Sequence, residues 1–364
     1  MIYLVVLGVM FIFAFLDVCE EEVFPKYRYI FLAMFFIFLL VFAGLRYEIG
    51  YDYNSYEAIY KMVDFKNITT LDVEIGYLGL NLIFKTLGLG FQAVLFVVAA
   101  FSLFFKYEAI RKYSIYPFIS VIIYFSSNFI IQDFGQIRQG LAIAMTLYSI
   151  GVIKERKLFK YLVMMAIAVS FHYSAVLFVP FYWIGNLKLS NKKIAVIIGA
   201  SLIFYIAIVF GVFEYVFANI IKSEYILYKF KAYSGEPLGF FTFTFIFRVL
   251  IFAAFVALEN KIRPNCRYYD ILRNGYFISI VMYIVFNSNE GLATRGALYY
   301  KMFEILLIPY IAYGVKDKLL VFNSIIIFYL YTIKDVIGAV FARSDQFVPY
   351  NNVIMEFIKK GLGQ

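Results

Sequence analysis

The sequence predicts an all-α, polytopic membrane protein: one helical bundle of about 12 spans, with residues 1–364 forming a single integral membrane domain. Three observations predict it. The chain is 63% hydrophobic and only 16% charged, where a soluble domain carries about 25% charged residues. Its apolar residues gather in blocks of 15 to 20 divided by short polar loops, the pattern of α-helical spans. Those blocks do not alternate in polarity, as 194–213 (IAVIIGASLIFYIAIVFGVF) illustrates, which excludes the roughly ten-residue alternation of a transmembrane barrel.

Taken in order, the candidate spans are 2–16, 30–45, 91–106, 116–131, 139–153, 160–171, 174–187, 194–213, 241–258, 273–287, 298–314 and 319–333. The first lacks a basic start and an A-x-A-like site, so it reads as a retained span rather than a signal peptide. LDVC at 16–19 resembles a lipoprotein box only faintly, because Asp17 precedes the cysteine. Segment 77–87 is apolar but ends in Gly-Leu-Gly; at about 1.5 Å per residue it cannot cross a ~30 Å core and reads as an interfacial helix. The stretch 160–187 holds two undersized limbs that meet at SFHYS (170–174). Phe171, His172 and Tyr173 are therefore expected below the outer membrane surface, where irregular backbone needs protein or water around it.

Basic residues set the orientation. Loops 17–29, 106–115, 154–160, 188–193, 259–273 and 315–318 carry 18 Lys and Arg in 55 residues. The opposite set, 46–90, 132–138, 214–240, 288–297 and 334–364, carries 13 in 120. The first set is about three times denser and is expected to face the cytoplasm. The larger loops 46–90 and 214–240 and a tail over 334–364 then face the periplasm or exterior. This distribution accounts for the net charge of +9 without nucleic-acid binding. Cys19 and Cys266 are the only cysteines; both fall in cytoplasmic loops, where thiols stay reduced, so no disulfide is expected.

Several chemistries are excluded by absence from the sequence. There is no P-loop, no H-E-x-x-H, no G-x-S-x-G and a single histidine, so an ATP-driven pump and a zinc site are not expected. What remains is a polar set at the outer ends of spans: Arg46, Glu48, Asp52 and Glu57 after span 2; Glu74; Asp133, Gln136, Arg138 and Gln139 in IQDFGQIRQG (131–140); His172; and Glu290 and Arg295. Arg46, Arg138 and Arg295 suit a diphosphate, because a guanidinium is a planar, permanently charged fork that also stabilises a departing anion. The alternative is that each Arg simply reaches for the headgroups. His172 is a candidate general base, with Asp52 the competitor and Asp133 a third, unless Asp133 pairs with Arg138. Gln139, Glu74 and Tyr53 are secondary substrate contacts, with tyrosines of 47–56 and 225–233 expected to stack on sugars. Lys301 and Glu304 are expected to pair across one helical turn. Arg248, mid-span in 241–258, is expected to face a cavity.

GLRYEIGYDYNSY (44–56), EIGYLGLN (74–81), IRQGLAIAM (137–145), SFHYSA (170–175), TRGALYY (294–300) and FVPYNN (347–352) together give the family signal. In their order and spacing the chain resembles the EpsG-like branch of the bacterial O-antigen and exopolysaccharide polymerases, the Wzy-type proteins. The resemblance implies a metal-independent, GT-C-like glycosyltransferase of the inner membrane with no cofactor. Its donor would be a glycan on undecaprenyl pyrophosphate and its acceptor another lipid-linked repeat unit. Arg46, Asp52, Arg138, His172 and Arg295 match the motif positions and would form the site. Membrane lipids are expected partners, with a chain-length regulator as a candidate protein partner. Two other readings stand beside it. A lipid-linked oligosaccharide flippase or polysaccharide transporter would place charges at the midplane between repeated halves, and no repeat is seen. An O-antigen ligase would use the same donor with a different acceptor.

Overall fold

The computed structural model describes residues 2–20, 22–220, 222–224, 227–228, 231, 237–315, 326, 330, 332–334, 336–341 and 344–361. Among these, the regular elements are all helical, and the only strand-like pairing is an isolated bridge between Arg46 and Asn352. Four helices are long and apolar enough to cross a membrane: α1 (Ile2–Cys19), α2 (Phe24–Gly44), α5 (Phe91–Tyr113) and α11 (Asn191–Val209). Two bent pairs, Pro117–Tyr124 with Asn128–Gly135 and Phe243–Ala257 with Glu259–Asn265, raise the number to six if each is one span. The first eleven expected spans fall mainly on helical residues; 319–333 lies largely outside the described residues.

Local sequence explains where these helices begin and end. Pro25 opens α2, where a missing N–H costs nothing, and Gly44 closes it. Gly44 also lets α2 approach α5, because a Cβ there would fall 2.8 Å from the Phe96 ring. Between them lie α3 (Tyr53–Met62) and α4 (Ile75–Thr86), the latter a 12-residue helix too short to span. Helix α5 buries Val94, Leu95, Val98, Ser102, Leu103, Lys106, Ala109 and Ile110, the three-and-four spacing of one helical face, against α2 and against α7 (Ile137–Tyr148).

One loop assignment is corrected here. Lys106 was expected to begin a cytoplasmic loop, yet α5 continues to Tyr113 and encloses it completely. Its Nζ donates to Asp133 Oδ2 at 2.7 Å and Oδ1 at 2.9 Å, and to Ser102 Oγ at 3.0 Å. Asp133 also accepts from the Ser102 hydroxyl at 2.6 Å and from the Tyr124 hydroxyl. Asp133 thus pairs with Lys106, not with Arg138. The reason is geometric: α6 (Pro117–Tyr124) runs into a π-helix, Phe125–Gly135, rather than into a turn, and that wider coil aims Asp133 at α5.

The undersized limbs take the expected form. After α8 (Ile150–Lys154), α9 (Leu158–Phe171) is 14 residues long, about 21 Å. It stops at His172, whose backbone is extended (φ −156°, ψ 114°), and a 3-10 helix follows over Tyr173–Phe178. Helix α4 packs on α9 through Gly76. A Cβ at that position would lie 2.4 Å from Ser170 Oγ and 2.7 Å from its carbonyl oxygen. Since the backbone cannot give way, Gly76→Val is expected to destabilise by about 1–3 kcal/mol, seen as a lower melting temperature of the detergent-purified protein. An unchanged melt would contradict this close packing.

At the other end of the chain, Phe347–Asn352 straps over the exit of α2. Tyr47 N–H donates to Asn351 O at 3.1 Å and Val353 N–H to Leu45 O at 2.9 Å. Tyr350 stacks on Phe42 with centroids 4.4 Å apart, and its hydroxyl donates to Phe42 O at 2.9 Å.

Candidate functional site

Glu74 precedes α4 in extended backbone (ψ 134°), and its carboxylate joins three segments distant in sequence. Oε1 faces His172 Nδ1 at 2.9 Å and accepts the Tyr173 N–H at 3.4 Å. Oε2 accepts from Nη1 of Arg138, the second residue of α7. Glu74 is 5% exposed, whereas the Arg138 and His172 side chains are 24% and 28% exposed. The acid therefore lies underneath and its two partners present outward. Burial pushes the Glu74 carboxyl up, but the His172 hydrogen bond and the Arg138 charge outweigh it and hold it below the usual glutamate value. An ionised carboxylate only accepts, so His172 Nδ1 carries the hydrogen, and in the neutral ring Nε2 keeps its lone pair.

Aromatic rings wall this trio. The Arg138 guanidinium carbon lies 5.6 Å from the Tyr56 ring centre and 5.8 Å from that of Tyr77, distances at which a cation is attracted to the ring face. Behind it runs a second tie. Gln139 Nε2 donates to the Arg295 carbonyl at 3.2 Å, and Ser174 Oγ hydrogen-bonds the buried Tyr299 hydroxyl at 3.1 Å. Arg295 is the penultimate residue of a second π-helical piece, Gly291–Gly296, which leads into the helix Leu298–Lys301. Gln139 thus fixes Arg295's backbone next to Arg138's own helix. The Arg295 side chain is exposed and has no ion-pair partner among the described residues.

The other expected site residues divide. Asp52 sits half-buried at the start of α3 and acts electrostatically on Tyr56, the tyrosine beside Arg138. Tyr53 is 5% exposed and packs edge-on to Phe91, with centroids 5.4 Å apart, so the ring serves the core instead of offering a stacking face. Of the tyrosines in 225–233, Tyr228 is exposed, while Tyr225 and Tyr233 lie outside the described residues. Arg46 does not join Arg138 and Arg295 around a shared opening. It is 0% exposed, and its guanidinium donates to Ala43 O (2.6 Å), Ile49 O (3.0 Å) and Phe134 O (3.0 Å). An arginine so engaged ties the exit of α2 to the π-helix. Gly50 at φ +115° lets the intervening turn close, since a Cβ there would lie 2.3 Å from Phe134 O.

Arg248 is likewise buried, donating to Ser279 O at 2.8 Å beneath Tyr283, which makes it a tie between the helices Phe243–Ala257 and Tyr269–Val285. Lys301 and Glu304 pair as expected, at 3.4 Å. Sequence reasoning singled out Arg138, His172 and Glu74 separately but not their linkage. The available signal was slight: an acidic residue opening an otherwise apolar short helix.

Among known proteins, the model of the EpsG family matches residues 29–352 of the chain. No curated protein and no solved structure matches it.

Proposed function

The chain belongs to the EpsG family, a polymerase-like group of polysaccharide biosynthesis, and from that premise we propose that it joins lipid-linked oligosaccharide repeat units into a polymer on the outer face of the inner membrane. The observation that carries this reading is the Glu74 carboxylate held between Arg138 and His172. It couples a candidate anion-binding group to a candidate general base within one partly open site. Twelve spans, with this site facing the periplasm or exterior and no metal requirement, complete the proposal.

The chemistry balances without ATP. His172 Nε2 takes the proton of an acceptor sugar hydroxyl, and the oxygen attacks C1 of the donor's first sugar. The bond from C1 to the pyrophosphate oxygen breaks, and its electron pair leaves on the undecaprenyl pyrophosphate. Glu74 stabilises the imidazolium as it forms, as an acid behind a catalytic histidine does. Arg138 and Arg295 meet the charge on the leaving group. Arg46 braces this arrangement from below.

One observation favours a transporter instead: Lys106 and Asp133 form a charge pair inside the apolar bundle, and intramembrane charges often mark ion pathways. Gene deletion with gel analysis of the surface glycan separates the readings. A polymerase deletion leaves a single repeat unit on its anchor. A flippase or ligase deletion leaves no surface-attached repeat, and that pattern would end the polymerase proposal. His172→Ala and His172→Asn are expected to reproduce the deletion pattern with the protein still in the membrane. Full-length chains in both would remove the base role from this histidine.

A further inference from the structure

Arg138 is imperfectly satisfied in a telling way. A carboxylate facing an arginine normally takes two parallel N–H bonds. Glu74 instead gives Oε2 to Arg138 Nη1 and Oε1 to His172, so the carboxylate meets only one tine of the fork. Arg138 Nε is buried and has no hydrogen-bond acceptor among the described residues, a costly condition for a charged donor. Tyr56 and Tyr77 flank the guanidinium with their rings, and the Tyr56 hydroxyl that also bonds to it is neutral, so neither supplies a second anionic oxygen. Arg138 also stands in the first turn of the 12-residue helix α7, where unpaired backbone N–H groups favour negative charge.

We propose that Glu74 is an exchangeable latch: it occupies Arg138 while the site is empty and yields it to the phosphate of the incoming donor, after which the carboxylate serves His172 alone. This rests on the reading above that Arg138 meets phosphate. A diphosphate brings more charge than one carboxylate and enough oxygens to fill both tines of the fork, including Nε. The exchange leaves both groups hydrogen-bonded, because Arg138 passes to phosphate while Glu74 keeps its bond to Nδ1. Relieved of Arg138, Glu74 places its full charge behind the imidazole. The base is thereby strengthened only when a donor is present. Glu74 is thus a positioning residue that competes with substrate, so its removal should tighten anion binding while slowing turnover. A merely structural glutamate would do neither in that combination.

The test uses inorganic pyrophosphate and the full-length protein in detergent, with binding followed by calorimetry. Glu74→Gln is expected to bind pyrophosphate roughly five-fold tighter than the parent, the equivalent of about 1 kcal/mol, Glu74→Asp to bind as the parent does, and Arg138→Ala to lose binding. Equal or weaker binding by a folded Glu74→Gln overturns the latch. A second measurement needs no variant: His172 is the only histidine in the chain, so its ring nitrogen resonances report the exchange directly. Pyrophosphate should shift the Nδ1 signal of the parent protein; no shift, or no pyrophosphate binding at all, overturns the proposal. Neither readout involves glycan. A wrong polymerase assignment would therefore appear in the deletion gel, and a wrong latch only in these two measurements.

Discussion

Alanine in place of Arg138 is expected to eliminate long polymer while leaving normal amounts of protein in the membrane. Among the described residues the guanidinium is the one cation bonded to the Glu74–His172 pair, and it stands at the open side of the site. Loss of a charged donor that meets a developing anion costs about 3–4 kcal/mol, or 10²–10³ in rate. Arg138→Lys should recover part of the activity, because an ammonium restores charge without the planar fork. Chain-length ladders on gels, beside immunoblots of the membrane fraction, measure both quantities. A normal ladder in the alanine variant would dissolve the proposed anion site. Arg295→Ala is a weaker version of the same test, since that side chain is more open. Arg46→Ala should behave oppositely and deplete the protein, because Ala43, Ile49 and Phe134 would each leave a buried carbonyl without its donor.

These contrasts show what a linear reading of the chain could and could not reach. Length and hydropathy announced α1, α2, α5 and α11, because an apolar run of about 20 residues has few other uses. The break at His172 was legible too, since a pair of limbs shorter than a bilayer must bend somewhere. Pairings across the bundle were not legible. An arginine just after a span looks the same whether it reaches headgroups or, like Arg46, turns inward to carbonyls. Glu74 lies 64 residues from Arg138 and 98 from His172, separations at which no helical spacing signals contact. The π-helical pieces Phe125–Gly135 and Gly291–Gly296 carry no periodicity of their own to distinguish them from α-helix or loop. They nevertheless aim Asp133 inward and hold Arg295 beside α7. Counting basic residues placed Lys106 with Arg111 and Lys112 in one loop expected to face the cytoplasm, because that rule weighs charge without knowing where a helix ends.

Lys106 also supports the largest expected effect on stability. Its ammonium and the Asp133 carboxylate are 0% and 2% exposed, so neither charge can be left to water. Among the described residues, Lys106→Met would strand Asp133 with only the Ser102 and Tyr124 hydroxyls, and Asp133→Asn would strand the ammonium under the Tyr124 ring. Breaking a buried pair from one side costs about 3–5 kcal/mol, whereas replacing both charges is often neutral. Each single variant should therefore fall sharply in membrane abundance and melting temperature. The double variant Lys106→Met, Asp133→Asn should recover most of both, since the amide oxygen still accepts from Ser102 and Tyr124. Polymer length in that double variant decides what the pair is for. Recovery of stability together with full chains makes it a staple that holds the π-helix, and with it Arg138, against α5. Recovery of stability without any surface glycan would instead require the charges themselves, as an ion pathway does, and would move the balance toward transport.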